Sequence, residues 1–165
     1  MPLALKSTAF SPNGGMPIKH TCEAEDVSPA LAWSGVPAGA RSLAMIVDDP
    51  DAPDPAAPKR VYVHWVVYDM DPAATGLPEG VKPSERPHGG RQGKNDGGNV
   101  GYMGPCPPIG RHRYFFKLYA LDTTLGDLGV ATKADLEAAM RGHVLEQVEL
   151  IGTYQGADGP AKPRR

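Results

Sequence analysis

Apolar residues recur along the chain in short runs with the two-residue period of β-strands. Residues 61–68 alternate around Trp65, and residues 147–154 alternate again near the C-terminus. Residues 42–47 form a continuous apolar run of strand length, and residues 112–121 form a run rich in aromatic side chains. Because 20 glycines and 18 prolines separate these runs, the pattern predicts a mainly β domain of short strands joined by shaped loops.

Weaker patterns predict the remaining elements. Residues 3–8 alternate weakly and predict an edge strand, with residues 16–22 as its hairpin partner, and residues 31–33 predict another short strand. Thr132 and Asp135 have the spacing of a capping box at the start of a short helix. We therefore expect one or two short helices beside the sheets.

Alternation also assigns side chains of the two strongest strands to faces. Val63 is predicted to share a face with Trp65, while Tyr62 and His64 lie on the opposite face. The strand that begins at His112 is predicted to place four further residues on the same face as His112: Tyr114, Phe116, Leu118 and Ala120. His64 is thus a mid-strand histidine on a largely apolar face, a position more typical of a core residue than of a ligand.

Length and composition limit the class of protein. We expect a single domain over residues 1–156 and a tail over residues 157–165, because 165 residues suffice for one domain with a substantial core. A net charge of -2 argues against a nucleic-acid partner. The start lacks the pattern of a signal peptide, and no run approaches the roughly 20 apolar residues of a membrane helix. We therefore expect no membrane insertion and a cytoplasmic location.

Two cysteines, Cys22 and Cys106, are too few for a disulfide scaffold. A cytoplasmic location favours reduced thiols. The sequence alone leaves open whether the two residues pair.

Carboxylates and imidazoles at the edges of strong strands form the candidate site. Asp48, Asp49 and Asp51 follow an apolar run, and their spacing alone is typical of a solvated acidic loop. With His64 and His112 they suit metal binding, acid–base catalysis or anion binding.

The loop before His112 favours anion binding among these three. Its prolines stiffen the chain, so the N–H groups of Cys106, Ile109 and Gly110 can form a concave donor array. The sequence contains no metal-binding, phosphate-loop or nucleophilic-serine motif. We therefore assign no catalytic residue, no metal and no cofactor.

Four motifs in order resemble the phosphatidylethanolamine-binding protein family, and its bacterial branch of Raf-kinase-inhibitor-like proteins most closely. They are the Asp-Pro-Asp-Ala-Pro of residues 49–53, the His-Trp of residues 64–65, the Gly-Pro-Cys-Pro-Pro of residues 104–108 and the His-Arg-Tyr of residues 112–114. Shorter likenesses extend the resemblance over nearly the whole chain.

The resemblance implies a Greek-key β-sandwich with a small pocket at one end that binds phosphate, phosphorylated head groups or similar anions. Matched by position, the ligand-binding residues are Asp49, Asp51, His64, Cys106, Pro107, His112 and Tyr114. Asp49 and His112 are expected to face the ligand most directly, while Asp51 supports the loop.

The resemblance further implies a binding or regulatory module rather than an enzyme. A hydrolase, or an inhibitor of a kinase or protease, that acts through the same pocket or a surface loop stays as an alternative. Homodimers occur in the family, so a homodimer is a further expectation.

Overall fold

The computed structural model describes residues 2–156, and within them the chain forms eight strands, one α-helix and two single turns of 3-10 helix. The regular elements are β1 (Ala4–Lys6), β2 (Leu31–Ser34), β3 (Ser42–Ala52), β4 (Arg60–Met70), β5 (Gly76–Leu77), β6 (Arg91–Gln92), β7 (Arg111–Leu121), α1 (Lys133–Met140) and β8 (Val144–Gln155). The 3-10 turns are Ile18–His20 and Pro87–Gly89. The expected mainly β fold with a short helix is confirmed, whereas the predicted tail over residues 157–165 lies outside the described residues.

The strands form two antiparallel sheets. The smaller sheet has the order β1-β2-β5, and the larger has the order β6-β4-β3-β7-β8. In the larger sheet β3, β4 and β6 are neighbours, and the chain then returns by a long connection to place β7 beside β3. This arrangement is the expected Greek key.

Two apolar clusters lie on the two faces of the larger sheet. The first fills the space between the sheets, where Trp33 of β2 packs with Trp65 of β4 and Phe116 of β7. The second lies beneath α1, where Leu136 packs against Val66 of β4. Because both faces of β3 and β4 are covered, their residues are almost continuously buried. No helix within residues 2–156 combines the length and the apolar character needed to cross a membrane.

The face assignment along β7 agrees with the structure, but that along β4 was wrong. Val47 of β3 pairs with Trp65, whereas the next residue, Asp48, pairs with Val63. His64 is therefore an extra residue in a β-bulge. As a result, Trp65 packs between the sheets and Val63 packs beneath α1. Strict alternation cannot reveal an inserted residue, because it assumes an uninterrupted period of two.

The predictions at the helix and near the N-terminus had different outcomes. The capping box is confirmed, since Asp135 N donates to Thr132 Oγ1 at 3.2 Å and Thr132 N donates to Asp135 Oδ2 at 3.0 Å. The predicted hairpin partner over residues 16–22 was wrong. That segment pairs with the edge of β8 through Met16 N and Thr153 O at 2.8 Å and then forms a 3-10 turn.

Cys22 and Cys106 form a disulfide, which corrects the expectation of reduced thiols. Their Cα atoms are 5.4 Å apart, although 84 positions separate them in sequence. Backbone contacts bring the two loops together: Cys22 N donates to Pro105 O at 3.1 Å, and Gly104 N donates to Asp26 Oδ1 at 2.8 Å. These contacts place the two sulfur atoms within bonding range.

The first cluster yields a stability prediction. Trp65 is 0% exposed, and its Nε1 donates to Gln92 Oε1 at 2.9 Å. Trp65→Ala should lower the free energy of unfolding by about 3–5 kcal/mol, because it leaves a cavity and an unpaired amide oxygen. Val61→Ala is the control, since Val61 lies on the same strand but is 45% exposed, and it should change stability by no more than about 0.5 kcal/mol. Urea unfolding measures both, and similar losses in the two variants would contradict this view of the core.

Candidate functional site

The three aspartates of the acidic motif lie in β3 rather than in a solvated loop, which corrects the interpretation from spacing alone. Asp48 is 1% exposed, Asp49 is 0% exposed and Asp51 is 6% exposed. A buried carboxylate is costly unless it is paired. The neighbouring strand β7 supplies a partner for each of them.

Asp49 is paired with His112, and both side chains are fully buried. Asp49 Oδ2 lies 2.6 Å from His112 Nδ1, and Asp49 Oδ1 accepts Asp51 N at 2.7 Å. On the other side of the ring, His112 Nε2 donates to the Ile109 carbonyl oxygen at 2.8 Å. A carbonyl oxygen only accepts, so Nε2 carries a proton, and an ionised Asp49 requires a second proton on Nδ1. The two side chains therefore form a hydrogen-bonded pair that the protein encloses on both sides.

Asp51 binds Arg113 with both carboxylate oxygens. Oδ2 accepts the backbone N and Nε of Arg113 at 2.9 and 3.0 Å, and Oδ1 accepts Nη2 at 2.8 Å. These side-chain hydrogen bonds, reinforced by the backbone bond and the charge of Arg113, hold the pKa of Asp51 below its ordinary value. The contact ties the end of β3 to the start of β7.

His64 and Tyr114 join the pair from the adjacent strands. His64 Nδ1 donates to the Met103 carbonyl oxygen, and Met103 N donates to the His64 carbonyl oxygen at 2.9 Å. The His64 ring meets Tyr114 edge-on at 5.2 Å, and Tyr114 stacks on His112 at 6.3 Å. Three strands thus bring Asp49, His64, His112 and Tyr114 into one buried cluster.

The two other matched residues lie in the loop that precedes β7. Cys106 is 4% exposed and bonded to Cys22, and Pro107 is buried beside it. They shape the loop that carries Ile109 to His112. A direct contact of either residue with a ligand stays a prediction.

A cavity of about 150 Å³ opens beside the cluster. Its lining residues are Ala52, Pro53, Arg60, Tyr62 and Pro108. The Tyr62 ring lies 5.2 Å from the His64 ring, and the half-exposed Arg60 guanidinium lies 4.8 Å above the Tyr62 ring. Alternation had placed Tyr62 and His64 on one face. Arg60 was missed because only the pairing of Ala52 with Arg60, formed by the β3–β4 hairpin, brings it to the cavity.

A second cavity, of about 540 Å³, lies on the far side of Tyr62. Asp26 and Asp96 line it, together with Asn95, Asn99 and Tyr102, and its described lining contains no lysine or arginine. Its carboxylates disfavour an anion there. The smaller cavity is therefore the candidate site for an anion.

The geometry of His112 bears on the chemistry that the cluster can perform. Nε2 is the atom that a general base paired with Asp49 would offer to a nucleophile, and it faces the Ile109 carbonyl oxygen instead. Within residues 2–156, no group of three or more His, Cys, Asp or Glu side chains is arranged to hold a metal ion.

The Asp51–Arg113 contact predicts a pH dependence of stability. Asp51→Asn should lower the free energy of unfolding at pH 7 by about 1–2 kcal/mol, because it removes a charge-assisted contact whose Arg113 side is partly exposed. The folded-state pKa of Asp51 lies below the ordinary value of 3.8. The contribution of Asp51 is therefore fully present above that value and is lost as pH falls through the lower folded-state pKa.

Urea unfolding of wild type and variant between pH 7 and pH 3 measures this effect. The difference in stability should be constant near neutrality and should shrink below about pH 4. Asp54→Asn is the matched control, because the described contact of the Asp54 side chain is a local one with Ala56 N at 2.9 Å. A difference for Asp51→Asn that persisted unchanged at pH 3 would contradict the assignment.

Comparisons with known proteins identify the family. Residues 6–155 match the family model described as phosphatidylethanolamine-binding protein. A UPF0098 protein of Methanothermobacter thermautotrophicus is 51% identical over 152 residues, which cover 92% of this chain and 97% of the relative.

Two solved structures are similar over the same extent. One is a phosphatidylethanolamine-binding protein homologue of Chlamydia trachomatis, with a TM-score of 0.85 and 41% identity over 94% of this chain and 98% of that one. The other is YbcL of Escherichia coli, a member of the mammalian family, with a TM-score of 0.84 and 30% identity over 94% of this chain and 99% of that one. The resemblance of the four motifs is thus confirmed, and the chain belongs to the phosphatidylethanolamine-binding protein family.

Proposed function

We propose that this protein binds small anions or phosphorylated head groups in the cavity beside His64 and His112, as a binding or regulatory module. The observation that carries the proposal is a small cavity at the end of β3 and the start of β4 that is lined by the Arg60 guanidinium and by Tyr62, whose ring lies 5.2 Å from the His64 imidazole. Family membership supports a binding protein in general, and the proposal adds the class of ligand.

The charges around the cavity favour a negative ligand. Asp49 and Asp51, which precede the lining residue Ala52, each have a partner on β7. The Asp54 side chain, which follows the lining residue Pro53, accepts Ala56 N at 2.9 Å. Arg60 is 54% exposed, and its nearest described carboxylate, Asp96, is 3.7 Å away, which is too long for a strong hydrogen bond. The guanidinium can therefore turn toward an anion at little cost.

Backbone donors near the cavity add to this preference. In the described part of the chain, the N–H groups of Cys106, Ile109 and Gly110 donate to no protein acceptor. Neighbouring loop N–H groups of this kind suit an oxyanion. Pro107 and Pro108 restrict the loop, so little conformational entropy is lost when a ligand orders it.

The size of the cavity limits the ligand. Its volume of about 150 Å³ lies below the roughly 300–1,000 Å³ typical of pockets for drug-sized ligands. The cavity therefore suits a phosphate or carboxylate group, or the tip of a phosphorylated molecule, and leaves no room for an acyl chain.

Titration with inorganic phosphate tests the proposal. Imidazole NMR signals of His64 and His112 should shift in a saturable way, and Arg60→Gln should weaken binding about tenfold through the loss of a charged hydrogen bond. Arg41→Gln is the matched control, because it removes the same charge just before Ser42, at the opposite end of β3 from the cavity, and should leave the affinity unchanged.

Parallel titrations with acetate and phosphoethanolamine compare the ligand classes. A preference for phosphoethanolamine would indicate recognition of a head group, whereas equal affinity for phosphate would indicate recognition of the anion alone. The proposed function is overturned if none of the three ions produces a saturable shift of either imidazole. Equal losses of phosphate affinity in the two arginine variants would show that affinity depends on the net charge of the protein rather than on a contact in the cavity.

A further inference from the structure

We infer that residues 105–110, here named the cap loop, hold the candidate site in an autoinhibited state and that the Cys22–Cys106 disulfide controls this state. The inference rests on the proposed function, because it assigns a regulation to the same site. Two observations carry it. The Ile109 carbonyl oxygen accepts a hydrogen bond from His112, and the disulfide anchors the loop that contains Ile109.

The Ile109 carbonyl oxygen occupies the position that an anion needs. It accepts the His112 Nε2 proton at 2.8 Å, while Nδ1 is turned toward Asp49. An anion can therefore bind to His112 only if it displaces this carbonyl. Such an exchange is structurally feasible, because the Ile109 side chain is 45% exposed and Gly110, at φ +74°, can act as a hinge.

The disulfide is the main anchor of the cap loop. The backbone contacts with the facing loop end at Pro105, through Gly104 N to Asp26 Oδ1 and Cys22 N to Pro105 O. From Cys106 onward, among the described residues, the loop is held by the disulfide, by the burial of Pro107 and by the contact of Ile109 with His112.

Two prolines lie between the disulfide and Ile109, and they link the position of Cys106 to that of the Ile109 carbonyl. Pro107 and Pro108 have restricted φ angles, so the location of Cys106 largely determines where the Ile109 carbonyl points. With the disulfide closed, the carbonyl is held against His112. Opening the disulfide leaves residues 106–110 held by the burial of Pro107 and by the hydrogen bond between the Ile109 carbonyl and His112.

The disulfide can be opened by thiol–disulfide exchange with a dithiol. Cys22 is half-buried whereas Cys106 is 4% exposed, so a thiolate of the reductant attacks Cys22 Sγ and Cys106 leaves as a thiolate, which takes a proton. The second thiol of the reductant then displaces Cys22 from the mixed disulfide. Two electrons pass to the protein, which gains two thiols, and the dithiol becomes a disulfide.

Reduction is therefore expected to increase the affinity for an anion. Once the cap loop is released, the anion no longer competes with the Ile109 carbonyl for the Nε2 proton. Removal of one competing hydrogen bond corresponds to an increase of about fivefold. The oxidised form is the low-affinity state.

Phosphate titration of the full chain in oxidised form and after treatment with dithiothreitol tests the inference. Reduced protein should bind phosphate about fivefold more tightly, and its His112 Nε2 proton should exchange faster with solvent even without phosphate. Cys22→Ser leaves Cys106 in place and should match the reduced wild type, with or without dithiothreitol. Circular dichroism confirms that the reduced protein and the variant are folded.

The outcomes separate the inference from the proposed function. Equal affinities of the oxidised and reduced protein, or tighter binding by the oxidised protein, overturn the inference and leave the proposed function intact. Absence of phosphate binding in both states overturns control of phosphate binding by the loop, and absence of a response to acetate and phosphoethanolamine as well overturns the proposed function. If the exchange rate of the His112 Nε2 proton does not change on reduction, the disulfide does not hold the Ile109 carbonyl against His112. That result overturns the inference, whatever the phosphate titration shows.

Discussion

Charge compensation between β3 and β7 is the constraint on which the rest of the structure depends. Three carboxylates lie buried at the end of β3, and each needs a positive partner there. The partners follow one another along β7: His112 for Asp49, Arg113 for Asp51 and Lys117 for Asp48. Lys133 joins Asp48 from α1 at 2.8 Å, which also anchors the helix to the sheet. The contacts that join β3 to β7 therefore include the candidate site residues Asp49, Asp51 and His112.

This arrangement accounts for the polarity of the candidate cavity. Because the aspartates are paired within the sheet, Arg60 is the charged residue among the described residues that line the cavity. An acidic sequence motif thus lies beside a cavity whose charged lining residue is a cation. The same closure explains why His112 is not open to solvent: its two ring nitrogens both contact acceptors of the protein.

The sequence predicted the regular parts of the fold and the membership of the cluster, but not its internal geometry. Periodicity located the long strands, and the face of β7 that carries His112 and Tyr114 followed from a period of two. The bulge at His64 was not predictable, because an extra residue depends on how β3 and β4 pair. Burial of Asp49 was not predictable either, because its partner His112 lies 63 positions away in the sequence. The disulfide escaped prediction for the same reason, since the distance between Cys22 and Cys106 is a property of two loops that meet only in the fold.

The Greek-key crossover has a consequence for the order in which this protein acquires its properties during synthesis. β3 and β4 form a local hairpin, but β7 reaches β3 only after the long connection through β5 and β6. Contacts between residues so distant in sequence form late and slowly in a folding chain. A nascent polypeptide that has not yet extruded β7 therefore carries Asp48, Asp49 and Asp51 without their partners on β7. The pair of Asp49 and His112 thus forms only after β7 has been synthesised.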